Sequence, residues 1–237
     1  MPKDRFSEIR ANAYRANMMV RDEGLVILTW GNASQVDREL GVMAIKPSGV
    51  DYDNLSESDM VIVSLETGKV VDGDLRPSSD TPTHLVLYRA FAGVGGIVHT
   101  HSHFGTCWAQ AGRPIPCFGT THADSFHGEI PLTRRLTASE IDRGYEAFTG
   151  EVIVERFHTG NLNPVHTPGV LVVNHGPFVW GKDALDAAHN AIILEEVARM
   201  ALHTLAIEKN APPAPPELTE KHFQRKHGTN AYYGQPK

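Results

Sequence analysis

Between residues 25 and 71 the sequence breaks into short apolar pieces separated by turn-forming residues, and no other feature restricts the fold as much. Residues 25–29, 42–45 and 60–65 are rich in apolar and β-branched side chains, with Gly, Asp and Asn between them, so each is predicted as a strand. Glu66-Thr67-Gly68-Lys69 reads as a tight hairpin turn into Val70-Val71. Strands joined by such hairpins pair antiparallel. Later strand patterns fall at residues 95–101, 152–154, 169–173 and 178–181. Helical periodicity marks residues 2–23, stopped by Gly24, and residues 104–111, ending at Gly112. Another helix begins near Pro82, with Ser79 or Asp80 as its cap, and runs to about residue 91. A long helix spans residues 184–207 behind Asp183. Helices and strands therefore alternate irregularly. The expected fold class is α/β, a central mixed, mainly antiparallel sheet flanked by helices rather than a doubly wound parallel sheet.

The pattern runs on without a linker until Ala211-Pro212-Pro213-Ala214-Pro215-Pro216, an extended connector. Beyond it, a tail over residues 217–237 carries Phe223, Tyr232 and Tyr233. One domain is expected over residues 1–237, and 41% hydrophobic residues suffice for a sizeable core. The formal net charge of -6 comes from interspersed acids and bases, with no basic stripe to neutralise phosphates, so nucleic acid is not the expected partner. No GxGxxG or P-loop pattern points to a nucleotide. Two cysteines, Cys107 and Cys117, do not make a disulfide framework, and a buried small apolar side chain is the ordinary reading of either. Lys3, Asp4, Arg5 and Glu8 interrupt any signal-type core, and no apolar run approaches the roughly 20 residues of a membrane span. No membrane partner is expected, and the cytoplasm is the default location.

Gly96-Ile97-Val98-His99-Thr100-His101-Ser102-His103 places histidines two residues apart. In a strand, alternate side chains share a face, which sets His99 and His101 side by side, roughly 6–7 Å apart at the backbone. Two imidazoles at that separation can converge on one ion, with metal–nitrogen distances of about 2.0–2.1 Å. His175, at the end of the apolar run Val172-Val173 and followed by Gly176, offers a third ligand. Spacing alone weighs this metal site equally against a merely polar strand face. His158, His166, His189 and His203 have no such context.

Lys46-Pro47-Ser48-Gly49 and Ser78-Ser79 suit a phosphate monoester: glycine admits backbone N–H groups, hydroxyls donate and lysine supplies charge. A helix beginning near Ser79 would aim its positive end at the anion, and Asn32 could add a hydrogen bond. Read in isolation, the same residues are ordinary turn material.

Several longer motifs occur together: Thr29-Trp30-Gly31-Asn32, Ile45-Lys46-Pro47-Ser48-Gly49-Val50, Pro77-Ser78-Ser79-Asp80-Thr81, His99-Thr100-His101-Ser102, Gly119-Thr120-Thr121-His122-Ala123-Asp124, His175-Gly176-Pro177-Phe178 and Ala231-Tyr232-Tyr233-Gly234-Gln235. In this order they resemble the class II aldolase/adducin family over essentially the whole chain. The resemblance implies that His99, His101 and His175 ligate a divalent ion, zinc or another such as manganese. Asp80 stands where related aldolases carry a glutamate that acts as base and can touch the metal. Its local alternative is a helix cap. Asn32, Ser48, Gly49, Ser78 and Ser79 match the family's phosphate pocket, with Lys46 beside it. Asp124 and Tyr233 match an acid/base pair, with Asp124 reaching in from a neighbouring subunit. Their local alternatives are a turn residue and a docked aromatic. Thr120, Glu146 and His222 match supporting positions. The resemblance also implies a cyclic homotetramer and a tail that contributes to the active site. The connector near Pro212 and the loop around Asn161 depart most from the family pattern.

The implied activity is inversion at C4 of a pentulose 5-phosphate. Removing the C4 proton would leave an anion with no resonance sink, because C4 is not adjacent to the C2 carbonyl. Breaking C3–C4 instead leaves the charge on C3, conjugated with C2, where a Lewis acid can stabilise it. Rotation of the glycolaldehyde phosphate fragment before re-addition then gives the epimer. Asp rather than Glu at residue 80 favours this reaction over that of an aldolase that releases its fragment. The other rivals are a zinc hydrolase and a non-catalytic adducin-like module.

Overall fold

The computed structural model describes residues 5–229, 231, 232 and 234. Helix α1 (Ser7–Asp22) precedes four strands, β1 (Asn32–Asp37), β2 (Val42–Ile45), β3 (Val61–Ser64) and β4 (Val70–Asp72). Then follow α2 (Thr81–Ala90), β5 (Gly96–His99), α3 (His103–Gln110), α4 (Thr120–Ala123) and α5 (Ala138–Thr159). The chain continues through β6 (Gly169–Val172), β7 (Gly176–Gly181), α6 (Ala184–Ile207) and α7 (Pro216–His227). The strands form one seven-stranded sheet in the order β4-β3-β2-β1-β5-β7-β6. All of its strand pairings are antiparallel. The parallel element is an isolated bridge between Leu132 and Leu171. Both described cysteines are free thiols, Cys107 exposed and Cys117 buried.

The alternation along each central strand sorts side chains to two helical layers. Ala33, Val98, Leu171 and Val179 pack on one face with Ala16 and Val20 of α1, Trp108 of α3 and the alanine-rich side of α6. Ile97, Val170, Val172, Phe178 and Trp180 pack on the other face with Leu85 and Tyr88 of α2 and Ile153 and Phe157 of α5. His99 follows Ile97 by two residues and so extends the second face beyond the apolar core.

Four expected elements differ from the structure. Residues 25–29 are not a strand; they form an irregular segment with Leu28 at φ 56°. The strand is β1, whose polar Asn32, Ser34, Gln35 and Asp37 conceal it from a hydrophobicity pattern. Its polarity is accommodated in the interior by hydrogen bonds: Ser34 Oγ meets both His84 Nδ1 and the Tyr88 hydroxyl at 2.7 Å. Val152-Ile153-Val154 belongs to α5, where a Thr137/Glu140 capping box starts the helix and burial against α2 overrides β propensity. The strand read over residues 95–101 ends at His99, so His101 lies in the following turn. The tail holds an unanticipated helix, α7, which starts at Pro216, a residue tolerated in the first helical turn.

Two features place the site at one end of the sheet. Strand β2 stops pairing with β1 at Ser34, so Ala33 takes its partners from Asn17 of α1, at 2.9 Å and 3.0 Å. The chain after β2 is thereby released to form a loop over Asn32. On the far side, β5 runs directly against the start of α6. A Cβ on Gly96 would collide with the backbone of Ala184, so only glycine allows this approach. Gly96→Ala is expected to cost about 3 kcal/mol, as overpacking against rigid backbone. Chemical denaturation measures it, and an unchanged midpoint would contradict the contact.

Candidate active site

Three histidines converge where β5 ends. Their ligand nitrogens all lie within 4.8 Å of one another. His99 pairs across the sheet with Asn32 of β1 and Phe178 of β7, and its ring stacks on Phe178 at 4.1 Å. Its Nδ1–H donates to the Pro177 carbonyl at 2.9 Å, so Nε2 carries the lone pair. His101 reaches the cluster from the turn, with its ring 4.9 Å from that of His99. His175 sits in the three-residue turn between β6 and β7, where Asn174 takes φ 62° and the His175 N–H donates to the Val172 carbonyl at 3.0 Å. Its ring is 4.6 Å from His99 and 5.2 Å from His101.

Burial, reinforced by the neighbouring His101, pushes His99 down to about 3 despite the Pro177 bond. Burial also lowers His101 and His175. All three are therefore neutral at pH 7, which is the form that binds a metal. Asp80 completes the donor set. It occupies the N-cap position of α2, yet its side chain makes no cap hydrogen bond. The helix-cap alternative for this carboxylate is thus overturned. Its Oδ2 accepts from Asn32 Nδ2 at 2.7 Å and stands 4.0 Å from His99 Nε2. Neutral imidazoles beside one carboxylate fit a divalent ion by ligand chemistry.

The same cavity, about 390 Å³, runs from the histidines to the 46–49 and 78–79 loops. The two loops are joined by hydrogen bonds from Ser48 N to Arg76 O at 2.9 Å and from Ser78 N to Lys46 O at 3.0 Å. Asn32 Nδ2 also donates to Ser78 Oγ at 3.0 Å, which links this cradle to Asp80. Lys46 is 1% exposed; its Nζ donates to Val50 O at 2.6 Å and lies 4.6 Å over the Tyr52 ring. Burial lowers it to about 8, with Asp51 opposing. It is still mostly protonated at pH 7. Asn32, Lys46, Ser48, Gly49, Ser78, Ser79, Asp80, His99, His101, His175 and Glu146 all line this one cavity.

Thr120, Asp124 and His222 lie outside its lining. Asp124 ends α4 and is bound by α7: its carboxylate accepts from Arg225 Nε at 2.9 Å, Arg225 NH2 at 2.5 Å and His222 Nδ1 at 3.1 Å. Lys226 Nζ is 3.9 Å away. Burial pushes the acid up, but these donors outweigh it and hold Asp124 below the usual carboxylate range. The role of Tyr233 falls on a residue outside those described.

Tyr145 is a site residue that sequence reasoning missed. Helix α5 breaks at Gly144, with φ 155° and ψ 69°, and the break turns Tyr145 and Glu146 into the cavity wall. The Tyr145 hydroxyl lies 3.1 Å from His175 Nδ1. A glycine inside a helical run, next to a suspected site glutamate, was the available signal. Trp30, half exposed at the mouth, and Arg225 were likewise not assigned roles.

The model of the Class II Aldolase and Adducin N-terminal domain matches residues 11–202. The L-ribulose-5-phosphate 4-epimerase UlaF of Salmonella paratyphi A is 54% identical over 228 residues, covering 96% of this chain and 99% of that protein. Among solved structures, an L-fuculose 1-phosphate aldolase has a TM-score of 0.77 at 23% identity, covering 92% of this chain and 95% of that one. The L-fuculose 1-phosphate aldolase from Glaciozyma antarctica PI12 also has a TM-score of 0.77, at 18% identity, covering 95% and 84%. These two likenesses establish a shared fold.

The buried histidines make stability pH-dependent. Burial holds His84 and His99 at about 3 and His122 at about 4, against an ordinary 6.5. Between those values the unfolded chain binds protons that the folded chain does not. Metal-free protein should be most stable above about pH 6.5 and lose stability as pH falls toward 4. Denaturation midpoints that stay constant from pH 7.5 to 5 would contradict the burial of neutral imidazoles.

Proposed function

The chain belongs to the Class II Aldolase and Adducin N-terminal domain family, and on that premise we propose that it is a metal-dependent L-ribulose-5-phosphate 4-epimerase, an isomerase interconverting L-ribulose 5-phosphate and D-xylulose 5-phosphate. The observation that carries this reading is one cavity in which three neutral imidazoles face a phosphate-type cradle. The name of the 54% identical relative agrees with it.

His99, His101 and His175, with Asp80 beside them, would hold the divalent ion, zinc in this reading and manganese as the alternative. When bound, the ion supplies Lewis-acid stabilisation of the charge that C3–C4 cleavage leaves conjugated with the C2 carbonyl. Asn32, Ser48, Gly49, Ser78 and Ser79 grip the phosphate, and buried Lys46 supplies positive charge behind the loop. That grip retains the glycolaldehyde phosphate fragment while it turns its opposite face. Asn32 joins the two halves, since it donates to both Ser78 and Asp80.

Two proton-handling groups must stand on opposite sides of the rotating aldehyde. Asp124 and Tyr233 take these roles, with Asp124 delivered by a neighbouring subunit of a cyclic homotetramer. What supports this is the separation of Asp124 from the cavity within one chain, together with a charge environment that keeps it ionised and able to accept a proton. Thr120 and His222 flank Asp124 and would fix its orientation, while Glu146 acts from the cavity wall. The whole chain of residues 1–237 works as one catalytic domain in the cytoplasm; among the described residues no helix is long and apolar enough to cross a membrane.

Metal-loaded protein should convert L-ribulose 5-phosphate to D-xylulose 5-phosphate. Accumulation of dihydroxyacetone and glycolaldehyde phosphate, without the epimer, would assign an aldolase instead. Asp124→Asn should lower kcat by about 10²–10⁴-fold while metal content is retained. His99→Ala and Asp124→Asn subunits, each inactive alone, should regain activity when mixed. Random assembly restores about a quarter of the sites to full composition. No recovery in verified mixed tetramers would reject a shared site.

A further inference from the structure

Two histidines of the cluster, buried His99 and half-buried His175, have their outer nitrogens engaged, but by different means. His99 Nδ1 meets a backbone carbonyl, which can only accept. His175 Nδ1 meets the hydroxyl of Tyr145 at 3.1 Å, and a hydroxyl can donate or accept. We infer that Tyr145 is the positioning residue for His175, accepting its Nδ1–H so that Nε2 faces His99 and His101 with its lone pair free. This rests on the reading that the three histidines hold one divalent ion. It goes beyond that reading by assigning the orientation of the third ligand to a particular side chain and to the helix break that delivers it.

Two observations converge on Tyr145. Its ring lies 5.8 Å from that of His175 at an interplanar angle of 35°, beside the 3.1 Å hydroxyl contact. The second is the backbone immediately before it. Gly144 adopts φ 155° inside α5, a conformation that other residues rarely take, although no atom within 4 Å would obstruct a Cβ there. The requirement at Gly144 is therefore conformational and not steric. Its result is to swing Tyr145 off the helical path and onto the histidine turn. Without Tyr145, no hydrogen bond fixes the tautomer of His175, and its neutral population includes the Nε2–H form, which offers no lone pair from that nitrogen.

The experiment measures binding of Co²⁺ to metal-free protein, together with the visible spectrum of the cobalt form and the ¹⁵N shifts of the His175 ring without metal. Parent protein should show the Nδ1–H tautomer. Tyr145→Phe keeps the ring packing and should bind cobalt about 10–100-fold more weakly, with altered d–d bands and a mixed His175 tautomer. Gly144→Ala should move all three readouts in the same direction with Tyr145 intact. A Tyr145→Phe protein with parental affinity, spectrum and tautomer overturns this inference alone. Parent protein that binds no cobalt, or a His99→Ala variant that binds it equally well, overturns the three-histidine site and this inference with it.

Discussion

The register of the three central strands is the constraint on which the site depends. Asn32 of β1 lies opposite His99 of β5, which lies opposite Phe178 of β7. Those pairings put a hydrogen-bond donor, a ligand and a stacking platform in a row across the sheet. Because strand side chains alternate, a one-residue slip of β5 would send His99 to the face occupied by Val98 and α6 and bring Val98 or Thr100 to the cavity in its place. The backbone approaches of Gly95 to Lys182 and of Gly96 to Ala184 guard against a slip in either direction, since it would bring Val94 against the first or Ile97 against the second.

Around this row the site is assembled from elements of different rigidity. The metal end rests on strand ends and a tight hairpin turn. The end proposed to hold the phosphate is built from two loops that hold each other through backbone hydrogen bonds and are tied to the histidine end by the amide of Asn32. Desolvation acts in the same sense on the two ends, disfavouring the charged form, but with opposite consequences. It strips protons from the histidines, making them ligands, and it weakens the charge on Lys46 without abolishing it. A deeper cavity would improve the first effect at the expense of the second.

Much of this was legible in the sequence, though not always for the right reason. Alternation along one strand accounts for the H-x-H pair in the sequence. In the structure β5 stops at His99, and His101 joins it from a turn. The 46–49 and 78–79 loops and His175, which line one cavity, lie in motifs whose residues are near one another in the chain. What hydrophobic periodicity could not find were features whose rationale is tertiary. Strand β1 is polar because its side chains enter a buried network with α2. Val152-Ile153-Val154 is helical because of what α2 presents to it. Tyr145 matters only because Gly144 breaks the helix before it. Arg225 matters only because α7 folds back onto α4, a placement that no local pattern encodes.

That last contact has a consequence in the order of synthesis. Asp124 and its arginine partner are 101 residues apart in sequence. The sheet, both core layers and the three-histidine cluster all come from residues that leave the ribosome before α7, the source of the counter-ion of Asp124. The carboxylate gains its fixed orientation only when α7 has been made and has docked. The half of the site proposed for acid/base work thus depends on the most C-terminal helix, so a chain lacking α7 would retain the architecture around the three histidines while its Asp124 lost the bonds from His222 and Arg225.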